Sequence, residues 1–103
     1  MKIVDKINAA TAEGQTKPYF SFEYFPPKTD AGVSNLYDRI DRMAHMHPLF
    51  VDVTWGAGGS TSERTLEICK TSQMLCGNET MMHMTCTNQT KEDILQVRLR
   101  WAR

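Results

Sequence analysis

The sequence predicts an α/β fold: a short N-terminal helix, then three strand–helix units whose strands pair in parallel. Strand-like runs at 19–25, 49–55 and 79–86 are each followed by a stretch with helical periodicity. Strands separated by such helices need crossover connections, and these place neighbouring strands parallel with right-handed chirality. The 103 residues suit one small domain, able to bury about two-thirds of the surface its unfolded chain exposes.

In the first segment, Ile3, Val4, Ile7 and Ala10 fall at helical spacing, and Gly14 suits the left-handed position beyond a helix end. The run 19–25 then alternates Phe20, Phe22 and Tyr24 with Ser21, Glu23 and Phe25, the pattern of a strand. Pro26 and Pro27 cannot donate ladder hydrogen bonds, so they take the chain out of the sheet.

Between 29 and 47, the residues Val33, Leu36, Tyr37, Ile40, Met43 and Ala44 trace an apolar helical stripe, with Asp38, Arg39, Asp41 and Arg42 mostly opposite. Pro48 closes that helix. The second strand alternates Leu49, Val51 and Val53 with Phe50, Asp52 and Thr54, and both faces are largely apolar, as in a buried strand.

"GAGGST" forms a turn, and Ser60 with Glu63 has the spacing of a capping box at the start of the next helix. Thr65, Ile68, Cys69, Ser72 and Cys76 share one face of it, and it fades near Gly77. "ETMMHMTC" is the third strand. "TNQTKEDILQ" opens a last helix, with Thr90 and Asp93 at a looser capping spacing. In the tail "VRLRWAR", Val97, Leu99 and Trp101 alternate with Arg98 and Arg100, so the face set by Ile94 and Leu95 is not continued cleanly. Trp101 has little sequence left to pack on, and the tail reads equally as a frayed helix end with a solvated basic face.

Composition narrows the function classes. The 12 Lys+Arg balance the 12 Asp+Glu, so no overall field favours nucleic acid or an anionic membrane. No stretch reaches the ~18 consecutive apolar residues of a membrane-spanning helix. Cys69, Cys76 and Cys86 are odd in number and lack C-x-x-C spacing, and the start has no apolar signal-peptide core, which suits a reduced cytoplasmic setting.

Glu23 has two readings: a solvent-facing glutamate on an edge strand, or a partly buried acid tuned for proton transfer. "TWGAGGST" leads from a strand into a capped helix, as phosphate loops do, but matches neither G-x-G-x-x-G nor a Walker loop and reads first as a structural turn. His83 reads as a core histidine or a ligand contact, and Met81, Met82 and Met84 as filler of core gaps. His45 and His47 lack the further ligands a metal would need. Glu23, Thr54 and His83 nonetheless lie on, or at the end of, three successive parallel strands. Those strands can bring an acid, a hydroxyl and an imidazole to one mouth of the sheet, around a planar heterocycle.

"FSFEYFPPKT", "FVDVTWGAGGST" and "TMMHMTCTN" resemble, in order and spacing, the first three strand segments of the methylenetetrahydrofolate reductase family in its eukaryotic form. The resemblance covers residues 1–96, and the tail 97–103 departs from it. It implies a (β/α)8 TIM barrel, here its first three βα units, that binds FAD and reduces 5,10-methylenetetrahydrofolate to 5-methyltetrahydrofolate with NAD(P)H. It implies Glu23 as the general acid that opens the folate imidazolidine ring. Tyr24, Phe25, Pro26, Pro27 and Lys28 become the wall beside nicotinamide and folate, and Thr54, Trp55 and His83 become flavin contacts.

The family's arginine-glycine-aspartate segment after the fourth strand is absent from this sequence. Three units cannot close a barrel. The chain is therefore expected to be a truncated or mispredicted product, inactive alone and partnered, if at all, by folate and by further copies in the complete family member. The competing expectation is a non-catalytic interaction module that packs on a full-length reductase.

Overall fold

The computed structural model describes residues 2–55, 62–86 and 89–102. Its elements follow the expected order: α1 (Ile3–Ala10), β1 (Ser21–Tyr24), α2 (Asp30–Ala44), β2 (Phe50–Thr54), α3 (Ser62–Leu75), β3 (Thr80–His83) and α4 (Lys91–Ala102). The "GAGGST" turn and the cap assigned to Ser60 lie outside the described residues.

The three strands form one parallel sheet in the order β1-β2-β3. Glu23 pairs with Asp52 and Tyr24 with Val53; on the other side of β2, Val51 pairs with Thr80 and Thr54 with His83. Because side chains alternate across a strand, this register divides the sheet cleanly. Phe22, Tyr24, Val51, Val53, Thr80 and Met82 share one face, and Ser21, Glu23, Phe50, Asp52, Thr54, Met81 and His83 share the other.

Among the described residues the core forms on the first face. Tyr24, Val51 and Val53 pack with Leu36 and Ile40 of α2 and with Ile68 and Cys69 of α3, and Phe22, Tyr37, Met43, Cys76, Met82 and Trp101 close around them. The apolar stripe of α2 and the Thr65-Ile68-Cys69-Ser72 face of α3 are thus buried as their spacing predicts.

Of the methionine cluster, Met82 packs on the core, whereas Met81 points to the other face and is exposed. Period-2 alternation places Met81 there, since one face of a strand cannot hold consecutive residues.

The tail is a helix end, the second of its two readings, but it is packed rather than frayed. α4 runs through it to Ala102, with Val97 buried and Trp101, four residues on, packed against the core cluster. The i, i+4 spacing of Val97 and Trp101 forms a narrow apolar stripe that the strand-like alternation of Val97, Leu99 and Trp101 concealed. Thr90 caps α4 reciprocally: Asp93 N donates to Thr90 Oγ1 at 3.2 Å, and Thr90 N donates to Asp93 Oδ2 at 3.1 Å. Arg100 also forms an ion pair with Glu63 of α3.

A buried polar contact joins α3 to β3. Thr80 Oγ1 donates to Ser72 Oγ at 3.1 Å, Asn78 Nδ2 reaches the same oxygen at 3.3 Å, and Thr80 N donates to Gln73 Oε1 at 2.8 Å. These bonds satisfy hydroxyls and an amide that would otherwise be stranded between helix and sheet.

Candidate functional site

The polar site grows from the sheet face opposite the core. β1 contributes Glu23, β2 contributes Asp52 and Thr54, and β3 contributes His83, all on one side by alternation and register. The Thr54 hydroxyl is the hub. It lies 2.5 Å from Glu23 Oε1 and 3.2 Å from His83 Nδ1, so it connects the carboxylate of one edge strand with the imidazole of the other.

The three residues expected to converge therefore do so. Glu23 stands on the edge strand β1 and is exposed, and its carboxylate is held by Thr54. His83 is not a core histidine. Its register with Thr54 turns the ring away from the helices, and it is exposed.

The sequence reading missed Asp52, placed by register directly opposite Glu23. It is only 8% exposed, and among the described residues its carboxylate has no hydrogen-bond or ion-pair partner. Burial, and secondarily the Glu23 carboxylate, push its carboxyl above the ordinary range, while nearby His83 opposes the shift. The available signal was an aspartate at the centre of a Val-Asp-Val strand, two residues before Thr54 and hence on its face.

Glu23, Asp52 and His83 each offer an atom within 4.8 Å of the others, the donor types of a cation site. Thr54 already engages one Glu23 oxygen and His83 Nδ1, so the group is organised as a hydrogen-bonded network.

The segment after β1 is fixed from two directions. Arg64 Nη1 donates to the Pro27 carbonyl at 3.0 Å while Nη2 meets Asp30 Oδ1 at 2.9 Å. The second tether is Thr29, which caps α2 by accepting from Gly32 N at 3.0 Å. A side chain at Gly32 would place its Cβ 2.7 Å from Pro27 Cβ, so the bare backbone there is a packing requirement.

The expected wall beyond Glu23 is divided. Phe25 and Lys28 are exposed and Pro26 and Pro27 half-buried, but Tyr24 turns to the helical face, 5% exposed, with its hydroxyl 3.5 Å from Met43 Sδ. Trp55 is 1% exposed and lies outside the Glu23-Thr54-His83 group. Its backbone N–H donates to the His83 carbonyl at 2.8 Å, extending β2–β3 pairing past the strand ends. His45 and His47 are remote from the group: His45 Nδ1 lies 2.9 Å from the Asp41 carbonyl at the end of α2, and His47 has a positive φ of 57° before Pro48.

The fold and motifs find their counterpart among known proteins. The profile of the methylenetetrahydrofolate reductase family matches residues 6–101. The chain is 56% identical over 94 residues to methylenetetrahydrofolate reductase (NADH) 1 of Arabidopsis thaliana, covering 91% of this chain and 16% of the relative. It is 50% identical over 95 residues to methylenetetrahydrofolate reductase 1 of Schizosaccharomyces pombe, covering 91% and 15%. With 5,10-methylenetetrahydrofolate reductase of Escherichia coli it shares 37% identity over 90 residues, covering 87% and 30%. The chain thus spans about a sixth of the plant and yeast relatives and under a third of the bacterial one. A match over nearly all of its residues shows that the chain belongs to the methylenetetrahydrofolate reductase family.

Proposed function

We propose that residues 1–96 supply the first wall of a flavin-dependent methylenetetrahydrofolate reductase site, acting in the cytoplasm, with Glu23 as the general acid. The observation that carries this reading is the Thr54 hydroxyl bridging Glu23 and His83 on the sheet face opposite the core. There, an exposed acid can meet a substrate while its carboxylate is held in one orientation.

FAD, reduced by NAD(P)H, would supply the hydride chemistry when bound. The donor set fits a polar heterocycle: hydroxyl, imidazole and carboxylate lie on one face, reachable from solvent. Thr54 and His83 would hold the cofactor by hydrogen bonds. Trp55, being buried, would act through its backbone and by shaping the end of β2. Phe25, Pro26, Pro27 and Lys28 would border the folate and nicotinamide, with Arg64 holding that segment in place. Glu23 would deliver its proton to the departing nitrogen of the imidazolidine ring.

The test is Glu23→Gln in a complete reductase carrying this segment. Flavin reduction by NAD(P)H should persist while folate reduction falls by about 10²–10⁴-fold, the usual contribution of a positioned acid. Equal loss in both half-reactions would refute the acid role.

A second reading, an interaction module docking on a complete reductase, is favoured by Phe20, Phe25 and Met81, all exposed on or beside β1 and β3, the two edges of the sheet. Purified chain without flavin absorbance that co-elutes with a full-length reductase would select this reading. Stoichiometric flavin in the chain alone would exclude it.

A further inference from the structure

We propose that Thr54 is a proton relay between His83 and Glu23, so that the exposed imidazole resupplies the acid through the threonine hydroxyl. The inference deepens the reading of Glu23 as general acid and rests on it. It starts from a counting constraint. Thr54 Oγ1 is in contact with both Glu23 Oε1, at 2.5 Å, and His83 Nδ1, at 3.2 Å, yet a hydroxyl carries one proton to donate.

When Glu23 is ionised the hydroxyl donates to it, and Nδ1 must then carry a hydrogen to donate to Oγ1. When Nδ1 is bare the hydroxyl donates to the ring, and Glu23 must then carry a proton. Glu23 and Nδ1 therefore hold at least one proton between them. The transfer is balanced: imidazolium Nδ1 gives its proton to Oγ1 as the Oγ1 proton passes to the Glu23 carboxylate. What remains is a carboxylic acid and a neutral ring protonated at Nε2. No oxidant or reductant enters, and the exposed ring is reloaded from water at the vacated Nδ1 once it turns away from Oγ1.

The titratable groups facing this chain are Glu23 from β1, Asp52 from β2 and His83 from β3. Among the described residues Asp52 makes no bond that would compete for the hydroxyl, and its carboxylate lies within 4.8 Å of the other two groups.

The test is ¹⁵N NMR of the histidine-labelled 103-residue chain in mildly alkaline solution. The relay geometry requires His83 to be the Nδ1–H tautomer. Thr54→Val should release this lock and return most of the population to Nε2–H, and Thr54→Ser should restore it. A wild-type ring that is mainly Nε2–H overturns the proposal, and this measurement stands even if a variant does not fold. An Nδ1–H ring that Thr54→Val leaves unchanged also overturns it. Neither readout involves folate or flavin, so either failure leaves the acid role of Glu23 to its own half-reaction test.

Discussion

Asp52 lies directly opposite Glu23 in the pairing of β1 with β2, and among the described residues the carboxylate of the inner strand is the one without a partner. A buried carboxyl in this position holds its proton more tightly in the fold than in the unfolded chain. Ionised Asp52 therefore works against folding. The penalty is absent below the ordinary value of 3.8, grows as pH rises through the folded value and is fully present above it. Asp52→Asn should stabilise the chain at neutral pH by about 1 kcal/mol. The gain should vanish in acid below 3.8. Chemical denaturation at both pH values checks this, and a gain that is the same in acid would refute the electrostatic cause.

The docking of α4 predicts a cost for trimming its apolar stripe. Val97 is 5% exposed and Trp101 lies on the core, so Val97→Ala should cost about 1–2 kcal/mol and Trp101→Ala about 3 kcal/mol. Leu99, exposed on the same helix, serves as the control, and Leu99→Ala should change little. Equal, negligible effects at all three positions would show that the end of α4 does not dock.

Gly32→Ala brings a methyl group to 2.7 Å from Pro27 Cβ, atoms that cannot both stay. The segment after β1 is held by Arg64 and Thr29, so it must shift as a unit, and we expect a loss of about 1–3 kcal/mol. Amide shifts at Lys28 to Asp30 in NMR spectra would locate the movement. An unaltered spectrum there would show that α2 gives way instead.

The cysteines should separate by reactivity. Cys69 is fully buried, and burial pushes its thiol up to about 12, whereas Cys86 is exposed. A thiol reagent at neutral pH should modify Cys86 first and Cys69 only on unfolding, with Cys76, partly buried and also raised, between them. Peptide mapping against time measures the order, and early labelling of Cys69 would contradict its packing.

The element order and parallel pairing were legible because the periodicities are local: the α2 stripe and the aromatic alternation of β1 each identify themselves within one segment. The meeting of Glu23, Thr54 and His83 was legible because each sits at or near the end of a strand. Asp52 was not, since its meaning comes from register, and register depends on how two strands align across about thirty residues. The tail misled for a related reason. Val97, Leu99 and Trp101 satisfy a period of two, which hides the i, i+4 relation that makes Val97 and Trp101 partners on one face of α4.

The Ser72–Thr80 contact has a reach beyond its own neighbourhood. It sits behind the sheet, yet it dictates which way the imidazole in front must look. Were β3 to slide by one position, Met81 would fall into the slot that Thr80 fills, the hydroxyl pair would be lost to a thioether, and His83 would rotate into the helices. The face that bears Glu23, Thr54 and His83 is thus indexed from its reverse, and a substitution as remote as Ser72→Ala can loosen the aim of His83 from behind the sheet.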